Sequence, residues 1–140
     1  MPDYSLNQFL ASAGTPLLDI EICDVTLRDG EQMPGVVFRA DEKLDIALRL
    51  DEIGVEVIEA GFPVVSPAEM NAVREVCNLG LDARISALSR SVKKDVDAAL
   101  QCGVDMISVF IATSDLHLKH KLHMSCPEAI SCALQTVEYA

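Results

Sequence analysis

Two kinds of segment alternate along this chain, and the alternation leaves few folds open to it. Four short runs, residues 20–26, 55–61, 83–88 and 104–111, are rich in β-branched side chains and apolar on both faces. They are too brief for ordinary helices and read as buried parallel strands. The segments between them carry helical periodicity and clear punctuation. Residues 41–53 place Ile46, Ala47, Leu50 and Ile53 inward and stop at Gly54. Ser66-Pro67-Ala68-Glu69 supplies an N-cap, a first-turn proline and a capping-box Glu, followed by Met70, Val73, Val76 and Cys77 on one face. Ser91 opens a third helix along Val92, Val96, Ala99 and Leu100, ended by Gly103. Ser125-Cys126-Pro127-Glu128 opens a fourth, with Ile130, Ala133, Leu134 and Val137 inward.

The order βαβαβαβα, with short connections, demands parallel strands joined by crossover helices. An open doubly wound sheet and a (β/α)8 barrel both satisfy it. A complete barrel takes roughly 250 residues, so four units in 140 residues make half of one. No Gly-rich phosphate loop follows the first strand, which weakens the nucleotide-binding version. Residues 1–19 mix Ser, Asn, Gly and Pro without a period and read as an N-terminal extension to a domain at 20–140.

Composition narrows the setting. Half the residues are hydrophobic and 24% are charged, so a packed core is expected. The net charge of −11 repels phosphate backbones and anionic lipid, which argues against nucleic-acid and membrane-surface partners. No apolar run reaches the ~20 residues of a membrane span, and no basic-then-apolar leader opens the chain. Five cysteines without a CxxC pair fit neither a disulfide framework nor a zinc cluster, and the chain reads as cytoplasmic and reduced.

In parallel α/β folds, chemistry gathers at the C-terminal ends of strands. The first such end reads Thr26-Leu27-Arg28-Asp29-Gly30-Glu31-Gln32-Met33-Pro34-Gly35. Arg28 can stabilise an oxyanion or grip a carboxylate, and Asp29 or Glu31 can ligate a hard divalent cation. A solvated turn with an internal Arg–Asp pair is the plainer alternative. The second end, Ile58-Glu59-Ala60-Gly61-Phe62-Pro63, buries a Glu that needs a partner, and Arg28 is the candidate. The third end is Leu88-Ser89-Arg90. The fourth, Thr113-Ser114-Asp115, precedes a solvated, partly basic stretch carrying His117, His120 and His123, of which His117 lies nearest the strand. On a helical turn the three would share a face, so a metal cluster there is a second possibility.

The segment Asp24-Val25-Thr26-Leu27-Arg28-Asp29-Gly30-Glu31-Gln32-Met33-Pro34-Gly35 resembles the N-terminal signature of the 2-isopropylmalate, citramalate and homocitrate synthases. More distantly it resembles the lyase of 3-hydroxy-3-methylglutaryl-CoA. The likeness continues through Ile58–Pro63, Ala87–Arg90 and Phe110–His117, and covers residues 20–140. It implies the first half of a TIM barrel and an acyltransferase that joins acetyl-CoA to a 2-oxo acid, most like the isopropylmalate enzyme. Citramalate and homocitrate synthesis, lyase chemistry and a non-catalytic half-barrel module are the alternatives. The resemblance also implies roles. Asp29 would ligate a divalent metal (Mn, Mg or Zn), and Arg28 would steady the developing oxyanion, with Glu59 as the acidic partner. Gln32, Arg28 and His117 would contact substrate, and Glu31 would orient the loop. A 2-oxoglutarate acceptor would need one more cation, which Arg90, Lys119 or Lys121 can supply.

The family's His-x-His metal pair has no match in this sequence. Two expectations follow: a piece of a longer, homo-oligomeric synthase, or a half-barrel that a second chain completes. On either, this polypeptide alone is expected to be inactive, with strands 1 and 4 as open edges and an apolar inner face exposed.

Overall fold

Four parallel strands lie side by side in chain order: β1 (Cys23–Asp24), β2 (Val57–Gly61), β3 (Arg84–Arg90) and β4 (Met106–Phe110). This computed structural model describes residues 20–140; the expected extension at residues 1–19 lies outside them. Helices α1 (Ala40–Glu52), α2 (Pro67–Cys77) and α3 (Lys93–Leu100) join the strands, and α4 (Cys126–Tyr139) follows β4. Strictly sequential order is what a barrel wall requires, whereas a doubly wound sheet reverses direction at a switch point. The chain is therefore a four-unit arc of a (β/α)8 barrel.

The core sits between sheet and helices. Ile58 and Ala60 from β2 and Ile85 and Ala87 from β3 pack with Ala47 of α1, Val73 and Val76 of α2 and Ala99 of α3. All are buried, as the apolar two-faced strands require. Register places Glu59 beside Ser86, Leu88 beside Ser108 and Arg90 beside Phe110, on the opposite, inner face of the arc. Ser86 and Ser108 hydroxyls meet there at 2.9 Å.

Two helix starts carry the expected Ser caps, but the capping box expected at Glu69 does not form: its carboxylate accepts the Phe62 N–H and lies against Lys43 instead. Ser66 Oγ accepts the Glu69 N–H at 3.0 Å ahead of Pro67. Ser125 and Glu128 form the reciprocal capping box of α4, in which the Ser125 N–H and hydroxyl hold the Glu128 carboxyl below its ordinary range. Such caps contribute about 1 kcal/mol each.

Several expectations are corrected. The first strand pairs only over Cys23–Asp24, because the Asp24 carboxylate turns back to accept the Thr26 N–H and hydroxyl and so ends the ladder. The third helix begins at Lys93 with Val92 as its cap, not at Ser91. Ile53, Leu100 and Val92 are exposed because each lies at a helix end, past the turn that touches the sheet. On α4 the buried residues are Ala129 and Thr136, with Cys132 and Ala133 half-buried, while Ile130, Leu134 and Val137 face outward. Small side chains at 129, 132 and 136 let the helix lie close against β4, and the bulkier stripe was the wrong guide. The histidine stretch is not an open loop: Asp115–His117 makes a helical turn that continues as a π-turn over Leu118–Leu122, anchored by buried Leu118.

Candidate active site

The bend after β1 is built on one carbonyl. The N–H groups of Arg28, Asp29 and Gly30 all point at Val25 O, at 3.1, 2.7 and 3.3 Å. Leu27 is pinned in the core beneath the bend. The chain thus reverses over a fixed point, and Arg28 is sent across to the neighbouring strand. Its Nε donates to Glu59 Oε2 at 2.5 Å and its Nη1 to Asp29 Oδ1 at 2.7 Å. The Glu59 side chain is only 4% exposed and Arg28 19%, whereas Asp29 at 61% reaches solvent. A buried carboxylate is thus paired with a guanidinium whose outer side opens to the rim, as the chemistry of burying a charge demands. Cys23 stands beside this pair. Burial, and then the Glu59 and Asp24 carboxylates, push its thiol above the ordinary range, although the residue remains exposed.

Arg28, Asp29 and Glu59, expected together from the sequence, do meet. Gln32 sits in the 3-10 turn Gly30–Gln32 with its side chain exposed on the same bend. His117 lies past the end of β4, its Nδ1 3.0 Å from Ser114 Oγ, and among the described residues it makes no hydrogen bond to Arg28, Asp29, Gln32 or Glu59. Glu31 turns away from Arg28: Oε1 accepts the Phe38 N–H at 3.0 Å, and Oε2 lies 2.6 Å from Lys43 Nζ. The same ammonium is 2.6 Å from Glu69 Oε2. Lys43 and Glu69 were missed. The available signal was a lysine on the apolar stripe of α1, one turn before Ile46 and Ala47, where only a paired charge can be buried.

The rim of β3 and β4 is closed differently. Arg90 Nε and Nη2 both bind buried Asp95, at 2.6 and 2.9 Å, and the guanidinium lies 5.7 Å over the Phe62 ring. Phe62 in turn meets Phe110 edge-on, with centroids 6.4 Å apart. A cleft of about 290 Å³ opens beside them, lined by Arg90, Phe110, Ala112, Lys121, Leu122 and Cys132 among others. Among the described residues no three His, Cys, Asp or Glu side chains converge to hold a metal ion, so His117, His120 and His123 form no cluster. Asp29 alone fits a hard cation in part: it is an exposed carboxylate whose Oδ2 makes no hydrogen bond among the described residues. No helix among those residues is long and apolar enough to cross a membrane.

A strand-order arc with an Arg–carboxylate pair at its C-terminal rim defines half of a barrel-type α/β domain. The HMGL-like family model matches residues 19–140, and the chain belongs to that family. It is similar to homocitrate synthase AksA of Methanosarcina mazei, 57% identical over 137 residues, covering 98% of this chain and 34% of the relative. It is also similar to 2-isopropylmalate synthase of Methanocaldococcus jannaschii, 56% identical over 120 residues, covering 86% of this chain and 23% of the relative. The chain thus spans about a third of the first relative and less than a quarter of the second. The crystal structure of the HMG-CoA lyase of Bacillus subtilis shares the fold, with a TM-score of 0.68 at 24% identity over 86% of this chain and 42% of that one.

Proposed function

We propose that this chain is the N-terminal part of a cytoplasmic acyltransferase that condenses acetyl-CoA with a 2-oxo acid. The observation that carries the reading is the Arg28 guanidinium, held by Glu59 at 2.5 Å and by Asp29 at 2.7 Å on the strand rim. In such a condensation the thioester methyl loses a proton and its carbon bonds to the ketone carbon. The ketone oxygen takes the electron pair, and water then releases CoA. Arg28 is the fixed positive charge where that oxygen becomes an alkoxide, worth about 3 kcal/mol of barrier by the usual cost of losing one such donor. Glu59 locks the guanidinium plane so that no reorganisation is needed as charge develops. Asp29 would contribute one ligand to a divalent cation (Mn, Mg or Zn), which when bound polarises the keto acid as a Lewis acid. Gln32 lines the bend, and His117 flanks the acceptor from the β4 side.

Two acceptors compete. The sequence signature leans toward the branched 2-oxo acid of isopropylmalate synthesis. The names carried by the relatives of widest coverage favour the dicarboxylic 2-oxo acid of homocitrate synthesis. Arg90 is already bound twice by Asp95, which leaves Lys119 and Lys121 as the freer cations for a second carboxylate. The test is a 2-oxo-acid panel with acetyl-CoA and Mn or Mg on the full native reading frame, read as free CoA thiol. Release of CoA that depends on the acceptor, and is abolished in Arg28→Ala and Asp29→Ala, supports the reading. No acceptor-dependent release overturns it.

A further inference from the structure

Behind the Arg28–Glu59 pair lies a second charged group that no part of the condensation uses. Lys43, on the first turn of α1, is 2% exposed, and its ammonium sits 2.6 Å from one oxygen of Glu31 and 2.6 Å from one oxygen of Glu69. Burial alone would lower its pKa, but the two carboxylates outweigh burial and hold the group charged, above the ordinary lysine range. Each carboxylate spends its other oxygen on backbone: Glu31 on the Phe38 N–H, Glu69 on the Phe62 N–H. The two arms lead to the two halves of the candidate site. Glu31 lies two residues after Asp29 and three after Arg28 on the bend. Phe62 lies three residues after Glu59, just past a register shift between Glu59 and Gly61. The packing at this junction is tight: a Cβ on Gly61 would overlap the Glu69 carboxylate and the Val73 methyl. One ammonium therefore joins the bend after β1, through Glu31, to the exit of β2, through Glu69.

We propose that Lys43 is a positioning residue for the reaction: through Glu31 and Glu69 it sets the relative height of the two rim segments, and so the aim of Arg28. The inference rests on the condensation reading and deepens it. A fold anchor alone would cost stability and leave the chemistry of the folded molecules intact. A positioning residue should cost turnover in molecules that are folded, because misplacement of a catalytic group by about 1 Å costs on the order of 100-fold.

The experiment uses the full native reading frame with Lys43→Met, which keeps the apolar stem, and Glu69→Gln, which keeps the volume and an oxygen for the Phe62 N–H. Arg49→Met, which removes an exposed charge from the same helix, is the control. Steady-state kinetics are normalised to the folded fraction by circular dichroism. The expected result is a fall of kcat by about 100-fold in Lys43→Met and about 10-fold in Glu69→Gln, with the acceptor KM nearly constant. In an Arg28→Lys background, Lys43→Met should add less than about 3-fold, because both changes then act through one guanidinium. Lys43→Met that folds with unchanged kcat overturns the proposal. So does Lys43→Met that fails to fold while Glu69→Gln keeps full kcat. Full additivity with Arg28→Lys overturns it too. An unmutated enzyme without condensing activity overturns the underlying reading as well, which separates the two failures.

Discussion

The two halves of the strand rim are held together by charged pairs of different reach. At β1 and β2 the charged pairs cross the fold: Arg28 and Glu59 are 31 residues apart, Lys43 and Glu69 are 26. At β3 and β4 the ion pair is local, Arg90 and Asp95 being five apart, and the contacts that cross the fold there are made by rings, Phe62 with Phe110. A cross-fold pair exists only when the sheet is assembled, so its geometry carries the precision of the core beneath it. A local pair forms wherever its own turn forms, and it leaves the surrounding surface open. The first rim suits a reaction that needs one charge in one place. On the proposed function, the second, with its cleft and exposed basic turn, would contact the acceptor.

If that contrast is right, substitutions at the first rim should cost far more activity than those at the second. Arg28→Ala and Asp29→Ala should each lower kcat/KM in CoA-release assays by about 1,000-fold, the upper range for losing one charge-stabilising group. Near-normal turnover in either would remove the chemical role of the first rim. Glu59→Gln comes next, with kcat down about 100-fold and an unfolding free energy lower by about 2 kcal/mol in urea titrations. That is less than the roughly 3–5 kcal/mol for a fully buried pair, because Arg28 partly reaches solvent. Arg90→Ala should cost about 2 kcal/mol of stability, because it strands the buried Asp95 carboxylate even though Arg90 itself is half exposed, and should leave kcat within about 10-fold. A kcat loss as large as that of Arg28→Ala would erase the distinction between the rims. His117→Ala should raise the acceptor KM about 3-fold at constant kcat, the mark of lost uniform binding; a change in kcat alone would put His117 in the chemistry instead.

The smallest effect concerns neither rim and serves as a baseline for pH work. Burial pushes the Cys77 thiol from 9.0 up to about 11. The unfolded chain therefore loses that proton first as pH rises. The stabilising contribution is complete below about pH 9 and fades between pH 9 and about 11. Thermal midpoints should decline over that window, and Cys77→Ala should flatten the decline.

Much of the molecule was readable from local text. The Ser66-Pro67 and Ser125-Cys126-Pro127-Glu128 helix starts, the two-faced strands and the Arg28-Asp29 bend all depend on neighbours within about four residues. The partnership of Arg28 with Glu59 was inferred from the cost of burying a charge, and it holds. One error came from packing. Ile130, Leu134 and Val137 looked like a buried stripe, and yet α4 packs through Ala129, Cys132 and Thr136, because closeness to β4 is limited by side-chain size and not by hydrophobicity. Glu31, expected to orient the loop, does so through Lys43 and the Phe38 N–H and not through Arg28.

Local sequence alone determined the alternation of strands and helices, their caps, and the residues that needed charged partners, since propensity, capping and desolvation act over a few residues at a time. Tertiary structure decided which partners those were. Lys43, Glu31 and Glu69 come from three segments that meet only after two crossovers have closed, and no periodicity records a distance across a sheet that does not yet exist.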